Sequence, residues 1–151
     1  MGEAGFTLLE ICCVLAIVAL LAALILPAIP RGTSHARLES YAVEAAAILE
    51  ADRNAAIRRR ARTATWLDAT TRTIRSGTSQ HVLQLPRDVA FDALLARQCD
   101  GRATGATIDF FPSGTSCGGT IAVARQGLGY QVRVSWLTGG VEVVTFDQPT
   151  K

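Results

Sequence analysis

The longest apolar stretch of the chain lies near its N-terminus. Nineteen consecutive residues from Ile11 to Ile29 carry no charge, and the apolar run starts upstream at Phe6, interrupted by one acid, Glu10. A helix rises about 1.5 Å per residue, so this stretch covers roughly the 30 Å hydrocarbon thickness of a bilayer. The pattern therefore predicts a transmembrane helix over residues 6–29.

A second helical pattern follows. Residues 30–34 (Pro-Arg-Gly-Thr-Ser) are typical of a helix break, with Ser34 as an N-cap. Beyond the break, apolar and Ala-rich positions recur at helical spacing with charged residues between them. We therefore expect an amphipathic continuation of the N-terminal helix within residues 30–62. Its predicted packing face comprises Leu38, Tyr41, Ala45, Ile48 or Leu49, Asp52, and Ala55 or Ala56.

The C-terminal half has the pattern of short strands. Apolar and polar residues alternate in several segments, and Gly and Pro residues separate them. Residues 63–151 are therefore predicted to form an antiparallel β-sheet or sandwich. The fold class is α+β, with the long N-terminal helix packed on this β-rich head. The predicted strands are residues 64–67, 71–75, 81–85, 107–111, 120–123, 130–136 and 141–146.

Composition limits the size and the partners of this architecture. The 151 residues are 49% apolar and 19% charged, which fits one ordered domain with an appended segment. The net charge of +2 is the sum of −2 in residues 1–30, +4 in residues 31–75 and 0 in residues 76–151. No region is charged strongly enough to make nucleic acid the expected partner.

The segment Ile57–Arg62 contains four arginines. One interpretation is a nucleic-acid patch. The other is that cations at a helix C-terminus complement the helix dipole and stay solvated. The second interpretation is favoured because no aromatic residue lies between the arginines.

Three interpretations of the N-terminal run compete. A cleaved secretory signal would have a basic n-region and a shorter apolar core, but residues 1–5 contain no base. A lipoprotein signal would place a Cys after small residues, whereas Cys12 follows Leu-Glu-Ile. A helix retained in the membrane remains. It must accommodate Glu10, because a carboxylate at membrane depth costs about 2.5–3.5 kcal/mol unless it is paired or reaches interfacial water.

The segment Gly5-Phe6-Thr7-Leu8-Leu9-Glu10, followed directly by the apolar run, resembles the class III signal of type IV pilins and type II secretion pseudopilins. The resemblance implies that a prepilin peptidase removes residues 1–5 by cutting between Gly5 and Phe6, and methylates Phe6. Glu10 becomes the fifth mature residue. Its carboxylate would then neutralise the N-terminal ammonium group of a neighbouring subunit during filament assembly.

Two further features bear on this resemblance. Pro27 lies where pilin-like helices commonly kink. The leader departs from the pattern, because its only charge is Glu3 and it lacks the Lys or Arg that usually precedes the Gly.

The predicted head resembles the GspH/FimT family of minor pseudopilins and pilins. The resemblance rests on a Phe-containing strand, a Pro-x-Gly turn at residues 112–114, a Gly-rich step, a Tyr-x-Val-x-Val strand from Tyr130 and a Leu-Thr-Gly turn. It implies a minor pseudopilin of the type II secretion system, most like the H component. Such a subunit lies at or near the tip of the periplasmic pseudopilus and helps to export folded proteins.

The same resemblance implies a location and a set of partners. The chain would cross the bacterial inner membrane once, place its head in the periplasm, and assemble with major and other minor pseudopilins on the inner-membrane platform. The alternative is a FimT-like minor pilin of a type IV pilus, whose relatives can take up DNA. A membrane-anchored β-domain with no filament role is a third interpretation.

The four cysteines fall into two groups. Cys12 and Cys13 lie in the apolar run and are expected to act as small apolar packing residues. If the head is periplasmic, as the resemblance implies, Cys99 and Cys117 are expected to form a disulfide. A metal site would need two further ligands, and His35 and His81 are isolated in sequence, so no metal or other cofactor is expected.

An enzymatic role is tested by Gly114-Thr115-Ser116-Cys117-Gly118, which matches the G-x-S-x-G nucleophile elbow. That motif needs a helix after the Ser and a catalytic His later in the chain. Here a predicted strand follows, and no His occurs after His81. We therefore expect no catalytic residues and no enzymatic activity.

Overall fold

The computed structural model describes residues 7–25 and 32–147. The chain divides into two compact units, one up to Gly32 and one from Thr33 onward. The predicted cleavage and methylation positions, Gly5 and Phe6, and the predicted kink at Pro27 lie outside the described residues.

The first unit contains helix α1, which spans Leu8–Ile25. Its residues are apolar on every face apart from Glu10 in the first turn, and all side chains described from residue 7 to residue 23 are exposed. None of the helices in the described part of the chain meets the combined requirement of length and apolarity for crossing a membrane.

The second unit begins with helix α2, which spans His35–Arg59. Ser34 is the N-cap, as predicted: its hydroxyl accepts a hydrogen bond from the Arg37 N–H at 3.3 Å. The helix ends before the predicted residue 62 because Arg60 adopts the left-handed conformation (φ 51°) and its N–H bonds back to the carbonyls of Ala56 and Ile57. Residues 60–62 instead lead into the first strand.

One face of α2 is buried, as its sequence period predicts. Tyr41 is half-buried at the margin of this face, and Ala42 lies fully inside it. The buried face also contains one charged residue, Asp52, which is completely inaccessible to solvent. The buried positions are Leu38, Ala42, Ala45, Ile48, Leu49, Asp52, Ala55 and Ala56.

In the described residues that follow α2, up to Asp147, ten strands form the rest of the head. Two four-stranded antiparallel sheets have the orders β3-β2-β1-β7 and β10-β9-β8-β4, and β5 and β6 form a separate two-stranded sheet. Helix α2 packs against strands of both larger sheets. The strands are β1 Thr63–Asp68, β2 Thr73–Arg75, β3 Val82–Gln84, β4 Ala90–Leu95, β5 Gln98–Cys99, β6 Arg102–Ala103, β7 Thr107–Phe110, β8 Gly119–Arg125, β9 Leu128–Val134 and β10 Val141–Asp147.

Local sequence explains two of the hairpins. The β1–β2 turn is closed by Asp68, whose carboxylate accepts from the N–H groups of Thr70 (2.8 Å) and Thr71 (3.1 Å). The β8–β9 turn consists of Gln126 and Gly127, both with positive φ, as the tightest two-residue hairpins require.

A single apolar core lies between α2 and the two larger sheets. The core includes Leu38 and Leu49 of α2, Ile108 and Phe110 of β7, and Val132 of β9, all almost completely buried. The predicted α+β class, a helix packed on antiparallel sheets, is confirmed.

Several predicted strand ends differ from the structure by one or two residues, and three strands were not predicted. Residues 130–136 were predicted as one strand, but β9 ends at Val134, so Trp136 lies in the loop before β10 rather than in a sheet. The pattern does not predict β4, β5 or β6. Inward-facing residues of β4 are only half-buried, and β5 and β6 have two residues each, so their apolar signal is weak.

Candidate assembly site

Glu10 lies in the first turn of α1, and Thr7 closes that turn. The Thr7 hydroxyl oxygen accepts a hydrogen bond from the Glu10 N–H at 3.3 Å, and the Thr7 carbonyl accepts from Glu10 (3.0 Å) and Ile11 (3.3 Å). A Thr followed three residues later by a Glu is the spacing of a capping box. This signal was available in the sequence, and it fixes the acid at the positive end of the helix dipole.

The Glu10 side chain is exposed, and within residues 7–25 and 32–147 no cation pairs with it. Its predicted partner is the amino group of a processed neighbouring subunit. The role of Glu10 in assembly therefore stays a prediction.

The surface around Glu10 consists of large aliphatic side chains. Leu8 and Leu9 in the first turn are 83% and 76% exposed. Cys12 and Cys13 are free thiols on this exposed helix. An isolated helix with apolar residues on all sides lacks the polar face of a surface helix, so α1 requires an apolar environment that the first unit does not itself supply.

In the second unit, Cys99 and Cys117 form a disulfide with Cα atoms 5.5 Å apart, which confirms the predicted pairing. The bond links β5 to the segment just before β8. The Cys117 N–H also donates to the Asp109 carbonyl at 3.0 Å. The closed loop of 18 residues is expected to contribute about 3 kcal/mol to the free energy of unfolding.

The arginines at the C-terminal end of α2 and just after it have two different environments. Arg58, Arg59 and Arg60 are exposed, and among the described residues none of them forms an ion pair, as the solvated interpretation predicts. The interpretation is wrong for Arg62, which pairs with the buried Asp109 (Nη2–Oδ2 3.0 Å). The hydrogen bond to Asp109 raises the pKa of Arg62 above its ordinary value.

The G-x-S-x-G segment forms a turn between β7 and β8. Ser116 is buried, its N–H donates to the Trp136 carbonyl at 3.0 Å, and its hydroxyl accepts from the Gly118 N–H at 3.0 Å. Strand β8 follows directly at Gly119, where a nucleophile elbow would require a helix.

The two histidines are held by separate contacts. His81 Nε2 lies 2.9 Å from the Glu44 carboxylate, and the His35 ring packs edge-on against Tyr130. The described part of the chain contains no cluster of three or more His, Cys, Asp and Glu side chains that could hold a metal ion.

Two solved structures match this arrangement of helix and sheets. The minor pseudopilin EpsH from the type 2 secretion system of Vibrio cholerae matches with a TM-score of 0.57 and 14% identity, over 71% of this chain and 95% of EpsH. The type IV minor pilin FimU of Pseudomonas aeruginosa PAO1 matches with a TM-score of 0.54 and 18% identity, over 74% of this chain and 91% of FimU. The chain has a pilin-like fold. No protein-family model matches the sequence, and no curated protein matches it significantly.

In this pilin-like head, a buried carboxylate attaches α2 to the β1–β2–β3 sheet. Asp52 accepts hydrogen bonds from the hydroxyls of Thr65 (2.7 Å), Ser76 (2.6 Å) and Thr78 (2.7 Å), and from the Gly77 N–H (2.8 Å). Four donors replace the water that burial removes, so the charge is tolerated inside the core. The helical period predicted that Asp52 lies on the packing face but gave no partner for it.

A second carboxylate fixes the start of α2. Asp88 accepts from the Thr33 N–H (2.9 Å) and hydroxyl (3.1 Å) and pairs with Arg125 Nε (2.9 Å). Arg125 in turn donates to the Thr33 carbonyl. The Thr33 N–H, assisted by the Thr33 hydroxyl and the charge of Arg125, holds the pKa of Asp88 below its ordinary value. The entry of the chain into the pilin-like head is therefore fixed by side chains from two distant segments.

Proposed function

We propose that the chain is a minor pilin-like subunit, and specifically a GspH-like minor pseudopilin of the type II secretion system. In this role it enters a short periplasmic pseudopilus through α1, at or near the tip, and takes part in the export of folded proteins. The likeness of the fold to EpsH and the N-terminal Gly5–Glu10 motif support the proposal.

The single observation that carries the proposal is Glu10 at the start of an apolar helix. A carboxylate in apolar surroundings needs a cation, and no described residue supplies one. Removal of residues 1–5 would create an ammonium group on Phe6, four residues before Glu10. The ammonium group of one subunit and the Glu10 carboxylate of the next would then neutralise each other inside the filament.

The proposed location follows from the same features. The apolar run of residues 6–29 would anchor the chain in the inner membrane before assembly, with a bend at Pro27. The head would lie in the periplasm, and the Cys99–Cys117 disulfide supports an oxidising compartment. The proposed partners are the prepilin peptidase, the assembly platform, and the major and other minor pseudopilins.

A second candidate function is that of a FimT-like minor pilin of a type IV pilus. The likeness to FimU supports it, since its TM-score of 0.54 is close to the 0.57 of EpsH. DNA binding by the exposed Arg58–Arg60 segment would favour this candidate if the affinity fell steeply with salt. Binding to other minor pseudopilins without affinity for DNA would favour the secretion role.

The proposal is tested by the intact mass of the chain extracted from membranes of cells with and without prepilin peptidase. We expect the peptidase to remove residues 1–5 and to add one methyl group to Phe6. An unprocessed N-terminus in cells that contain the active peptidase would overturn the proposal and favour an anchored β-domain outside any filament.

A further inference from the structure

The loop between β9 and β10 exposes two large apolar side chains. Trp136 and Leu137 are 68% and 61% exposed. Trp136 has its carbonyl bonded into the head, so its backbone belongs to the folded structure although its indole ring is in solvent. Tryptophan is among the residue types that contribute most to binding energy at protein interfaces.

This loop is fixed by two hydrogen bonds from other segments and by one within the loop. The Trp136 carbonyl accepts from the Ser116 N–H at 3.0 Å, and the Thr138 carbonyl accepts from Arg53 Nη2 of α2 at 2.9 Å. Within the loop, the Gly139 N–H donates to the Ser135 carbonyl at 2.8 Å. A side chain presented on a fixed backbone loses little conformational entropy on binding, which favours recognition by a partner.

Trp136 stands as a ridge between two grooves. One groove of about 490 Å³ is lined by Trp136, Leu137, Phe111 and the disulfide residue Cys99, and also by the acid Asp100. The other, of about 530 Å³, is lined by Trp136 and by Leu94, a side chain that is 78% exposed, and its lining also includes Arg133 and Glu142. The exposed apolar surface therefore extends beyond the Trp136 ring. Its two grooves give it a shape that a complementary partner surface can fit.

Cations border the apolar surface on the α2 side. The Arg62 guanidinium lies 5.6 Å from the centre of the Phe111 ring. Ile57 and Arg53, in the last two turns of α2, approach Gly114 in the turn beneath the loop. The exposed Arg58–Arg60 segment follows directly, and no carboxylate of the described residues neutralises it.

We propose that Trp136, Leu137, Phe111 and the flanking Arg58–Arg60 segment, here called the Trp136 patch, dock onto the head of a different pilin-like subunit. The matching surface is an apolar pocket bordered by Asp or Glu side chains. This inference rests on the proposed function and assigns its subunit contact. A second copy in a symmetric contact does not fit, because that contact would bring the arginines of both copies together, and a head-to-tail contact with a second copy is distinguished by the identity of the cross-linked protein.

The experiment uses the full-length chain in cells that contain the complete set of minor pseudopilins. A photoreactive benzoylphenylalanine replaces Leu137, and the products of irradiation are identified by mass spectrometry. We expect one major adduct, to the head of another pilin-like subunit, with Asp or Glu residues beside the cross-linked position.

Matched substitutions distinguish a specific role of the Trp136 patch from general effects of substitution at the protein surface. Trp136→Ala should reduce the adduct about tenfold, as expected for loss of an interface hot spot, whereas Trp66→Ala should leave it unchanged. Trp66 is a suitable control because it is 57% exposed on the other sheet. The double substitution Arg58→Glu and Arg59→Glu should also reduce the adduct, and Arg75→Glu, at an exposed arginine on β2, should not.

Four results would overturn the inference: an adduct only to a second copy, an adduct to DNA, no adduct, or an unchanged yield with both Trp136→Ala and the double arginine variant. An intact disulfide in each variant shows that the head has folded. Failure of the proposed function is seen separately, as an unprocessed N-terminus. A chain that is processed and enters filaments without a Leu137 adduct overturns the docking inference alone.

Discussion

The Asp52 carboxylate of α2 accepts a 2.7 Å hydrogen bond from the Thr65 hydroxyl of β1, and both residues are completely buried. The bond joins the helix to the sheet within the buried interior of the head. Since three further donors from the β2–β3 turn share the same carboxylate, one side chain connects three elements of the head.

Replacement of Asp52 by Ala is therefore expected to destabilise the head strongly. The substitution leaves four donors without their acceptor, two of them the hydroxyls of the buried Thr65 and Ser76, and the free energy of unfolding should fall by about 3 kcal/mol. Urea unfolding of the detergent-solubilised chain, followed by tryptophan fluorescence, measures the change. Glu50→Ala, at an exposed acid two residues earlier on α2, should change stability by less than about 0.5 kcal/mol. Equal urea midpoints for the two variants would contradict the role of Asp52.

Gly77 is expected to tolerate no side chain. A Cβ atom at this position would lie 2.2 Å from the Ala64 carbonyl oxygen, so the backbone of one of the two segments would have to shift to avoid the clash. Gly77→Ala should therefore lower the unfolding free energy by about 2 kcal/mol. The control is Gly105→Ala, where no atom lies within 4 Å of the added carbon. A melting temperature equally affected by both substitutions would show that the Ala64 contact is unimportant.

The Asp88 contacts predict a dependence of stability on pH. The folded-state pKa of Asp88 is lowered from its ordinary value of 3.8. The stabilisation is therefore present above about pH 4 and is lost as the pH falls through the folded-state pKa, because the protonated carboxyl accepts more weakly from the Thr33 N–H and hydroxyl and no longer attracts Arg125. The stability difference between the wild type and Asp88→Asn should shrink between pH 5 and about pH 2. The exposed Asp92→Asn serves as control, and a difference independent of pH would contradict the argument.

Loss of the disulfide should destabilise the head without disrupting its sheets. We expect the double substitution Cys99→Ser and Cys117→Ser to reduce the unfolding free energy by about 3 kcal/mol, because the unfolded chain is no longer constrained. Chemical denaturation under oxidising conditions measures this effect. Cys12→Ser with Cys13→Ser is the matched control, since both thiols lie on α1. A reducing agent should lower the denaturation midpoint of the wild type more than that of the Cys99/Cys117 variant. Equal shifts in the two proteins would show that the disulfide does not stabilise the head.

Glu10→Ala is expected to leave processing by the peptidase intact and to impair assembly into filaments. Peptidase cleavage between Gly5 and Phe6 is expected to persist, while incorporation into sheared filaments falls at least about tenfold, because an unpaired ammonium group is left in apolar surroundings. Glu50→Ala should not alter incorporation. Immunoblots of the membrane and filament fractions measure both steps, and normal incorporation of Glu10→Ala would count against charge pairing.

Sequence patterns correctly predicted the structural features that depend on residues close together in the chain. The Ser34 cap and the buried face of α2 follow from residue type and helical period, and most strands follow from alternation between turn residues. The Cys99–Cys117 pairing followed only once a periplasmic location was assumed, because spacing alone does not fix connectivity.

The contacts that organise the head could not be predicted, because they join residues far apart in sequence. The donors to Asp52 lie 13 to 26 residues later, and the Arg53 contact with Thr138 spans 85 residues. Trp136 continued an alternating pattern and so was assigned to a strand. Only the observed end of β9 at Val134 reveals that its ring is exposed.

The Thr33–Asp88–Arg125 cluster has a mechanical consequence. A pulling force on the backbone at Thr33 is transmitted along α2. It is also transmitted through Asp88 to Arg125, which lies at the end of β8. Shear across a strand that is hydrogen-bonded on both sides must break many bonds at once, whereas peeling of a helix end breaks them one by one. A force that advances a subunit by its N-terminal segment would therefore move the folded head as one body instead of unravelling α2 from its first turn.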